Sequence, residues 1–357
     1  MNAAKRVIIL TPTAFPQLTG NAVSAERWRR ALSLQGAEVV VLETQHLDGR
    51  GLVDRLDRFR PHLIHVHHIS RAGSLMLDPF VAGKYGHLPL VVSPAGTDIN
   101  LYEINGEGRE MVGRICRMAR CIIAQSPEIA RRVREILPDL EERITAVPKS
   151  FFWFGKDPFD LRTAAGFARE AVLFFMPAGI RPVKGNLECL RVMKEVHGLN
   201  PEVRVVFAGP ALDAGYAARF EKEINPLDSF AKWIFQIPPQ AMHAAFQSAD
   251  CVLNHSRSEG LSNSLLEAMA AGRPILASDI PGNRWLVDDT NGIGPGALLF
   301  RPGDGEDFVR KALRLANDDA LREVYAANSR LRAAAWPQPE EEARALLRIY
   351  EAAIGRP

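Results

Sequence analysis

The chain has 357 residues, of which 44 are basic and 42 acidic, for a formal net charge of +2. So even a balance excludes a global field that would gather nucleic acid or an anionic membrane, and it leaves function to local sites. The length exceeds what one hydrophobic core usually serves and points to two domains.

Short apolar runs rich in β-branched residues recur through the first part of the chain, at 7–10, 39–42, 63–66, 90–92, 121–124 and 144–147. The first follows Lys5 and Arg6, is too short for the core of a signal peptide, and has Pro12 and Pro16 close behind. Helical patterns lie between the runs; the one through Ala25 to Leu34 is stopped by Gly36. Continuous rather than alternating apolarity marks strands covered on both faces, so residues 1–150 read as a doubly wound βαβ domain.

The rhythm fails at Pro148, Lys149 and the aromatics Phe151, Phe152, Trp153 and Phe154, followed by Gly155, Pro158 and Gly166. We read 151–168 as an interdomain linker whose aromatics are buried rather than displayed. Strand-like runs then return at 171–176, 203–207, 233–235, 251–253 and 274–277, giving a second parallel sheet in a domain spanning 169–336. The run Gly292 to Gly296 reads as loop. After Pro337 and Pro339 an amphipathic stretch rich in Arg, Ala and Leu predicts a last helix, within 340–357, that folds back on the first domain. The expected fold is α/β, with two Rossmann-like sheets whose strand C-termini face a shared cleft.

No run approaches the ~20 apolar residues of a membrane span, although peripheral membrane contact stays open. Cys116, Cys121, Cys189 and Cys251 are scattered, and the last two sit in apolar runs where a buried free thiol is the ordinary reading; a reducing cytoplasm is expected. His65, His67 and His68 invite a metal reading. A strand puts His65 and His67 on one face and His68 on the other, with no carboxylate or cysteine close in sequence, so packing or acceptor contact is preferred and no metal is expected.

The densest chemistry lies in Ser258-Glu259-Gly260-Leu261-Ser262-Asn263-Ser264-Leu265-Leu266-Glu267. One glutamate sits in a Gly/Ser turn; a second, eight residues on by their numbers, reads as the first turn of an Ala/Leu/Met helix. Backbone N–H groups at such a helix start lack intrahelical partners and face forward, which favours phosphate oxygens. The plainer reading of Ser264-Leu265-Leu266-Glu267 is a capping box, and that of Arg181 with Lys184 a solvated loop.

The stretch from His255 to Val287, with Gly272-Arg273-Pro274 after the helix, closely resembles the signature of glycosyltransferase family 4, retaining nucleotide-sugar enzymes of the GT-B fold. Gly179-Ile180-Arg181-Pro182-Val183-Lys184-Gly185 resembles that family's basic diphosphate loop, with Arg181 and Lys184 closer together than in many members. The segment from Thr11 to Thr19-Gly20-Asn21 resembles its acceptor-side loop, with Gly20-Asn21 where a pair of glycines is usual. Ala95 stands before Gly96-Thr97-Asp98, where members commonly carry a histidine. Together with Pro281-Gly282-Asn283, these pieces are similar to a branch that includes bacterial selenosugar synthases.

The resemblance implies a nucleoside diphosphate sugar as donor, most simply a UDP-sugar, and an unidentified acceptor, with no cofactor and no metal. It assigns the diphosphate to Arg181, Lys184 and the backbone of Asn263, Ser264 and Leu265, and the ribose hydroxyls to Glu267. Glu259 takes the transferred sugar, with Gly260, Leu261 and Ser262 as the intervening donor-binding turn, and the base lies near Ile237. Hydrogen bonds to a charged group of about 1.5–3 kcal/mol each, with about 0.3–1 more from the helix terminus, suffice for micromolar binding. Gly20, Asn21, His67 and Asp98 are the acceptor-side candidates, and with retention the departing phosphate itself can take the acceptor's proton, so the absent histidine is tolerable. The alternatives are a nucleotide-sugar 2-epimerase, which would act on donor alone, and a non-catalytic nucleotide-sugar binder.

Overall fold

The computed structural model describes residues 4–100, 106–288 and 292–355. The chain divides into two compact units, one of Met1–Phe152 with Pro337–Pro357 and one of Trp153–Trp336.

In the first unit the strands are β1 (Arg6–Thr11), β2 (Glu38–Glu43), β3 (Leu63–His67), β4 (Leu90–Ser93), β5 (Cys121–Ala124) and β6 (Ile144–Ala146). They form one parallel sheet in the order β2-β1-β3-β4-β5-β6. Alternate residues feed two cores. Ile8, Leu10, Ile64 and Val66 point into one, and Val7, Ile9, Leu63 and Val91 into the other. That two-sided burial is why the runs are apolar at every position. The helix Gly20–Leu34 begins at Thr19, whose side chain accepts from the Ala22 N–H. Gly20 and Asn21 are therefore its first two residues rather than part of a loop.

The helix Pro339–Gly355 belongs to this unit and buries Ala343, Leu346, Tyr350 and Ala353 in the same core as Trp28 and Leu32. Its Glu342 is fully enclosed: the carboxylate accepts from Trp28 Nε1 at 2.7 Å, Ser150 N at 2.8 Å and Ser150 Oγ at 2.5 Å. Burial pushes its carboxyl above the ordinary value, against the pull of Ser150, Trp28 and Lys149. Residues 356 and 357 of the expected helix lie outside the described residues.

The second unit holds β7 (Val172–Pro177), β8 (Val203–Ala208), β9 (Ala231–Ile234), β10 (Cys251–Asn254), β11 (Ile275–Ser278) and β12 (Ala297–Phe300). Their parallel order is β12-β11-β10-β7-β8-β9. The edge strand β12 was not anticipated; four residues behind a glycine-rich run carry too little pattern to read as a strand alone. The stretch 151–168 divides between the units: the second begins at Trp153, and Leu161 and Ala165 pack within its core. Trp153 itself rests on His243 and Phe246. Among the described residues no helix is long and apolar enough to cross a membrane.

Candidate functional site

In the second sheet β10 and β7 are neighbours, but the chain winds outward from them in opposite directions. Such a switch point leaves a crevice beyond the strand C-termini, because the two following loops turn away from each other. The loop after β7 carries Arg181 and Lys184; the loop after β10 carries Glu259.

The two loops are tied together. The Arg257 N–H donates to Val183 O at 2.9 Å, and Lys184 Nζ reaches Glu259 Oε1 at 2.5 Å, with side-chain exposures of 17% and 9%. Gly185 is required by its backbone: its φ is +64°, and a Cβ there would lie 2.5 Å from His255 O. The adjoining Arg181 is extended, and its N–H donates to the Asn186 side chain at 3.2 Å. Sequence reading set Arg181 and Lys184 beside the possibility of a solvated loop, and the partly buried Lys184–Glu259 pair is the opposite of a solvated arrangement.

Two further donors converge on the same oxygen of Glu259, Asn254 Nδ2 at 3.1 Å and Ser256 Oγ at 2.7 Å. Burial alone would raise this carboxyl, but the charge of Lys184 and the bonds from Lys184, Ser256 and Asn254 hold it below the ordinary value. Glu259 is thus ionised at neutral pH. Behind it, Asn283 Nδ2 donates to Asn254 Oδ1 at 3.2 Å and to Ser278 O at 3.0 Å, while Ser278 Oγ donates to Ser256 O at 2.6 Å. A Cβ on Gly282 would stand 2.4 Å from Glu259 O, so the Pro281–Leu286 turn packs directly on the Glu259 backbone. Sequence reasoning gave none of these four supporting side chains a role, although Asn283 belongs to the Pro281-Gly282-Asn283 segment it singled out. Asn254 and Ser278 each close an apolar strand run with a polar residue, which is the signal that would have found them.

The helix Asn263–Ala270 starts where the turn ends, with Ser262 as its N-cap residue. Its first backbone bond runs from Leu266 N–H to Ser262 O, so Asn263, Ser264 and Leu265 supply the N–H groups that precede the ladder. Glu267 lies in the second turn, not the first, and is buried with Leu265 and Leu266. Because the N-cap is Ser262, Glu267 does not stand at the third helical position that a capping box needs. Gly260, Leu261 and Ser262, which form the turn between Glu259 and the helix, are buried. Ile237 is buried three residues beyond β9, while Phe235 beside it is 57% exposed.

The first unit presents its own strand ends at the β1/β3 switch point. His67 and His65 share Ser93 Oγ, at 3.1 and 3.0 Å, and both lie against Trp28. Burial lowers His65 to about 3 and His67 well below its ordinary value. Both are neutral packing residues, and His67 is only 2% exposed. Asp98 accepts from Ile69 N at 2.7 Å and Ala95 N at 3.0 Å, which joins the turn after β3 to the turn after β4. His68 sits between them at φ +72°, a strained value for a residue with a side chain. Among the described residues no group of three His, Cys, Asp or Glu is placed to hold a metal.

Residues 160–332 match the family model of the glycosyl transferases group 1. The chain is similar to glycosyltransferase 1 domain-containing protein 1 of Xenopus tropicalis, at 25% identity over 87% of this chain and 88% of that protein. It is 30% identical to the putative glycosyltransferase EpsD of Bacillus subtilis, over 45% of this chain and 40% of EpsD. Among solved structures, sucrose-phosphate synthase from Thermosynechococcus elongatus superposes with a TM-score of 0.81 at 15% identity, covering 98% of each chain. Anabaena HepE, solved in complex with UDP and glucose, gives 0.75 at 18% identity over 98% of this chain and 100% of HepE. At such identities the structural likeness speaks to the fold, which is GT-B.

Proposed function

We propose that this chain, a GT-B glycosyltransferase of the group 1 type, transfers a sugar from a UDP-sugar to a hydroxyl acceptor with retention of anomeric configuration. The observation that carries the reading is the Lys184–Glu259 pair, which sets a cation and an ionised carboxylate side by side at the β7/β10 switch point. The helix Asn263–Ala270 opens beside that carboxylate's own turn.

In this reading the diphosphate takes Lys184, Arg181 and the N–H groups of Asn263, Ser264 and Leu265. These supply the positive charge the leaving group needs, so no metal is required. Glu267 accepts the two ribose hydroxyls, which a carboxylate can do at once. The base lies over Ile237, with exposed Phe235 as an apolar platform. Glu259 accepts hydroxyls of the transferred sugar and faces the positive charge that develops as the C1–O bond to phosphate breaks. The acceptor oxygen bonds to C1, its proton passes to the departing phosphate oxygen, and UDP leaves. No side-chain base is needed, in keeping with Ala95 and with the buried, neutral His65 and His67. The acceptor side takes the first turn of the Gly20–Leu34 helix, with Gly20 and Asn21. Four buried free cysteines support a reducing, cytoplasmic setting.

The test is Glu259→Gln, with UDP, GDP and ADP and their glucose or mannose conjugates titrated by calorimetry and donor turnover followed by product analysis. The expected result is nucleotide affinity kept and turnover lost by about 100-fold or more. Equal loss of binding to every nucleotide refutes the division of labour. Epimer formation from donor alone points to a different reaction.

A further inference from the structure

The carboxylate of Glu259 does not find its own orientation; three donors converge on a single one of its oxygens. Fixing one oxygen with three donors of different direction fixes the plane of the carboxylate, and so where its second oxygen points. Lys184 is shared with the diphosphate in the reading above, so it is not free to act as a constant anchor. The constant anchors are neutral, Asn254 and Ser256.

Asn254 is itself held. Its Oδ1 accepts from the Ser256 N–H at 3.1 Å and from Asn283 Nδ2 at 3.2 Å, leaving the amide one orientation in which Nδ2 faces Glu259. Asn254, Ser256, Ser278 and Asn283 are at most 5% exposed, so water does not compete for these bonds. Behind them, Gly282 allows the Asn283 turn to touch the Glu259 backbone. From strand end to turn these side chains form a buried polar lattice in otherwise apolar surroundings, and Asn283 commits its Nδ2 to it while its buried Oδ1 finds no partner, so the arrangement is costly to build for packing alone.

We propose that the Asn283–Asn254 amide pair is the positioning device that aims Glu259, and that it sets which configuration of donor-sugar hydroxyl the enzyme accepts. The proposal rests on Glu259 meeting the donor sugar. A carboxylate held in one plane accepts a hydroxyl only from the direction it faces, so an epimer that moves that hydroxyl loses the bond. A carboxylate free to rotate accepts either epimer and catalyses neither well.

The experiment compares wild type with Asn254→Leu and Ser256→Ala, measuring hydrolysis of UDP-glucose, UDP-galactose and GDP-mannose without acceptor and UDP binding by calorimetry. Ser256→Ala removes one oxygen from the lattice and serves if the larger change impairs folding. The expected result is a fall of about 10- to 100-fold in turnover of the preferred sugar, as for a misplaced reacting group. UDP affinity stays unchanged and the ratio between preferred and epimeric sugar collapses toward one. With a donor to the carboxylate gone, the acid limb of the turnover profile also moves to higher pH, Lys184 being the charged partner whose effect is common to all variants. Variants that keep the wild-type sugar ratio and acid limb overturn the proposal while leaving the function standing. A wild type that turns over none of the three donors overturns both.

Discussion

Replacing Lys184 with methionine keeps an unbranched side chain, one atom shorter, and removes the cation from Glu259. Both groups are less than a fifth exposed, at 17% and 9%, so solvent screens the pair little. Stranding one partner of a buried pair costs about 3–5 kcal/mol, and because Asn254 and Ser256 remain, the lower end, about 3 kcal/mol near pH 7.5, is expected. With a urea m-value of about 2–3 kcal/mol/M, the midpoint falls by roughly 1–1.5 M. The loss depends on pH. In the wild type the carboxyl is depressed below its ordinary 4.5, so its contribution is present above that value and lost as pH falls through the depressed one. In the variant, burial is no longer outweighed and the folded carboxyl rises above 4.5, so its penalty grows as pH rises through the raised value. The deficit is therefore largest at pH 7.5 and shrinks toward pH 5. Tryptophan fluorescence is the suitable probe, since of the five tryptophans all but Trp28 lie in the Trp153–Trp336 unit. A variant with the wild-type midpoint at pH 7.5, or with a deficit that is flat between pH 5 and 7.5, refutes the reasoning.

Two other outcomes follow from packing. Glu342→Ala leaves the Trp28 and Ser150 donors buried without their acceptor; at about 1–3 kcal/mol each, less the relief of desolvating a carboxylate, the first unit loses about 2–4 kcal/mol in thermal or urea unfolding. Gly282→Ala drives a Cβ to 2.4 Å from the Glu259 carbonyl; donor turnover drops by about 10-fold or more while UDP affinity, read by calorimetry, holds.

The two sheets were legible because strands buried on both faces write unbroken apolar runs, and the glutamate-bearing turn because Gly, Ser and Asn at a helix start have few other uses. Less legible was anything that depends on register between distant segments. Glu267 reads as a first-turn residue when Ser264 is taken as the cap, yet the chain caps at Ser262, and no local rule chooses between two serines so close together. Gly20 and Asn21 read as loop because glycine is a poor helix former, although the first position of a helix tolerates it. His67 looks like a displayed strand-end histidine until Trp28, far away in sequence, covers it. The lattice behind Glu259 joins strand ends β10 and β11 to a turn past residue 280, and only the folded sheet brings those together.

The return of the Pro339–Gly355 helix to Trp28 and Ser150 makes the first unit discontinuous, with the whole of the second spliced into it. During synthesis the second unit is complete before the helix that finishes the first has been made, although the first began earlier. Until then, the groove of Trp28, Leu32 and Val91 stands uncovered, and Ser150 and Trp28 lack their shared acceptor. The ribosome thus presents a finished second unit while the first is still open, and exposed apolar surface at that stage is where a chaperone would be called upon.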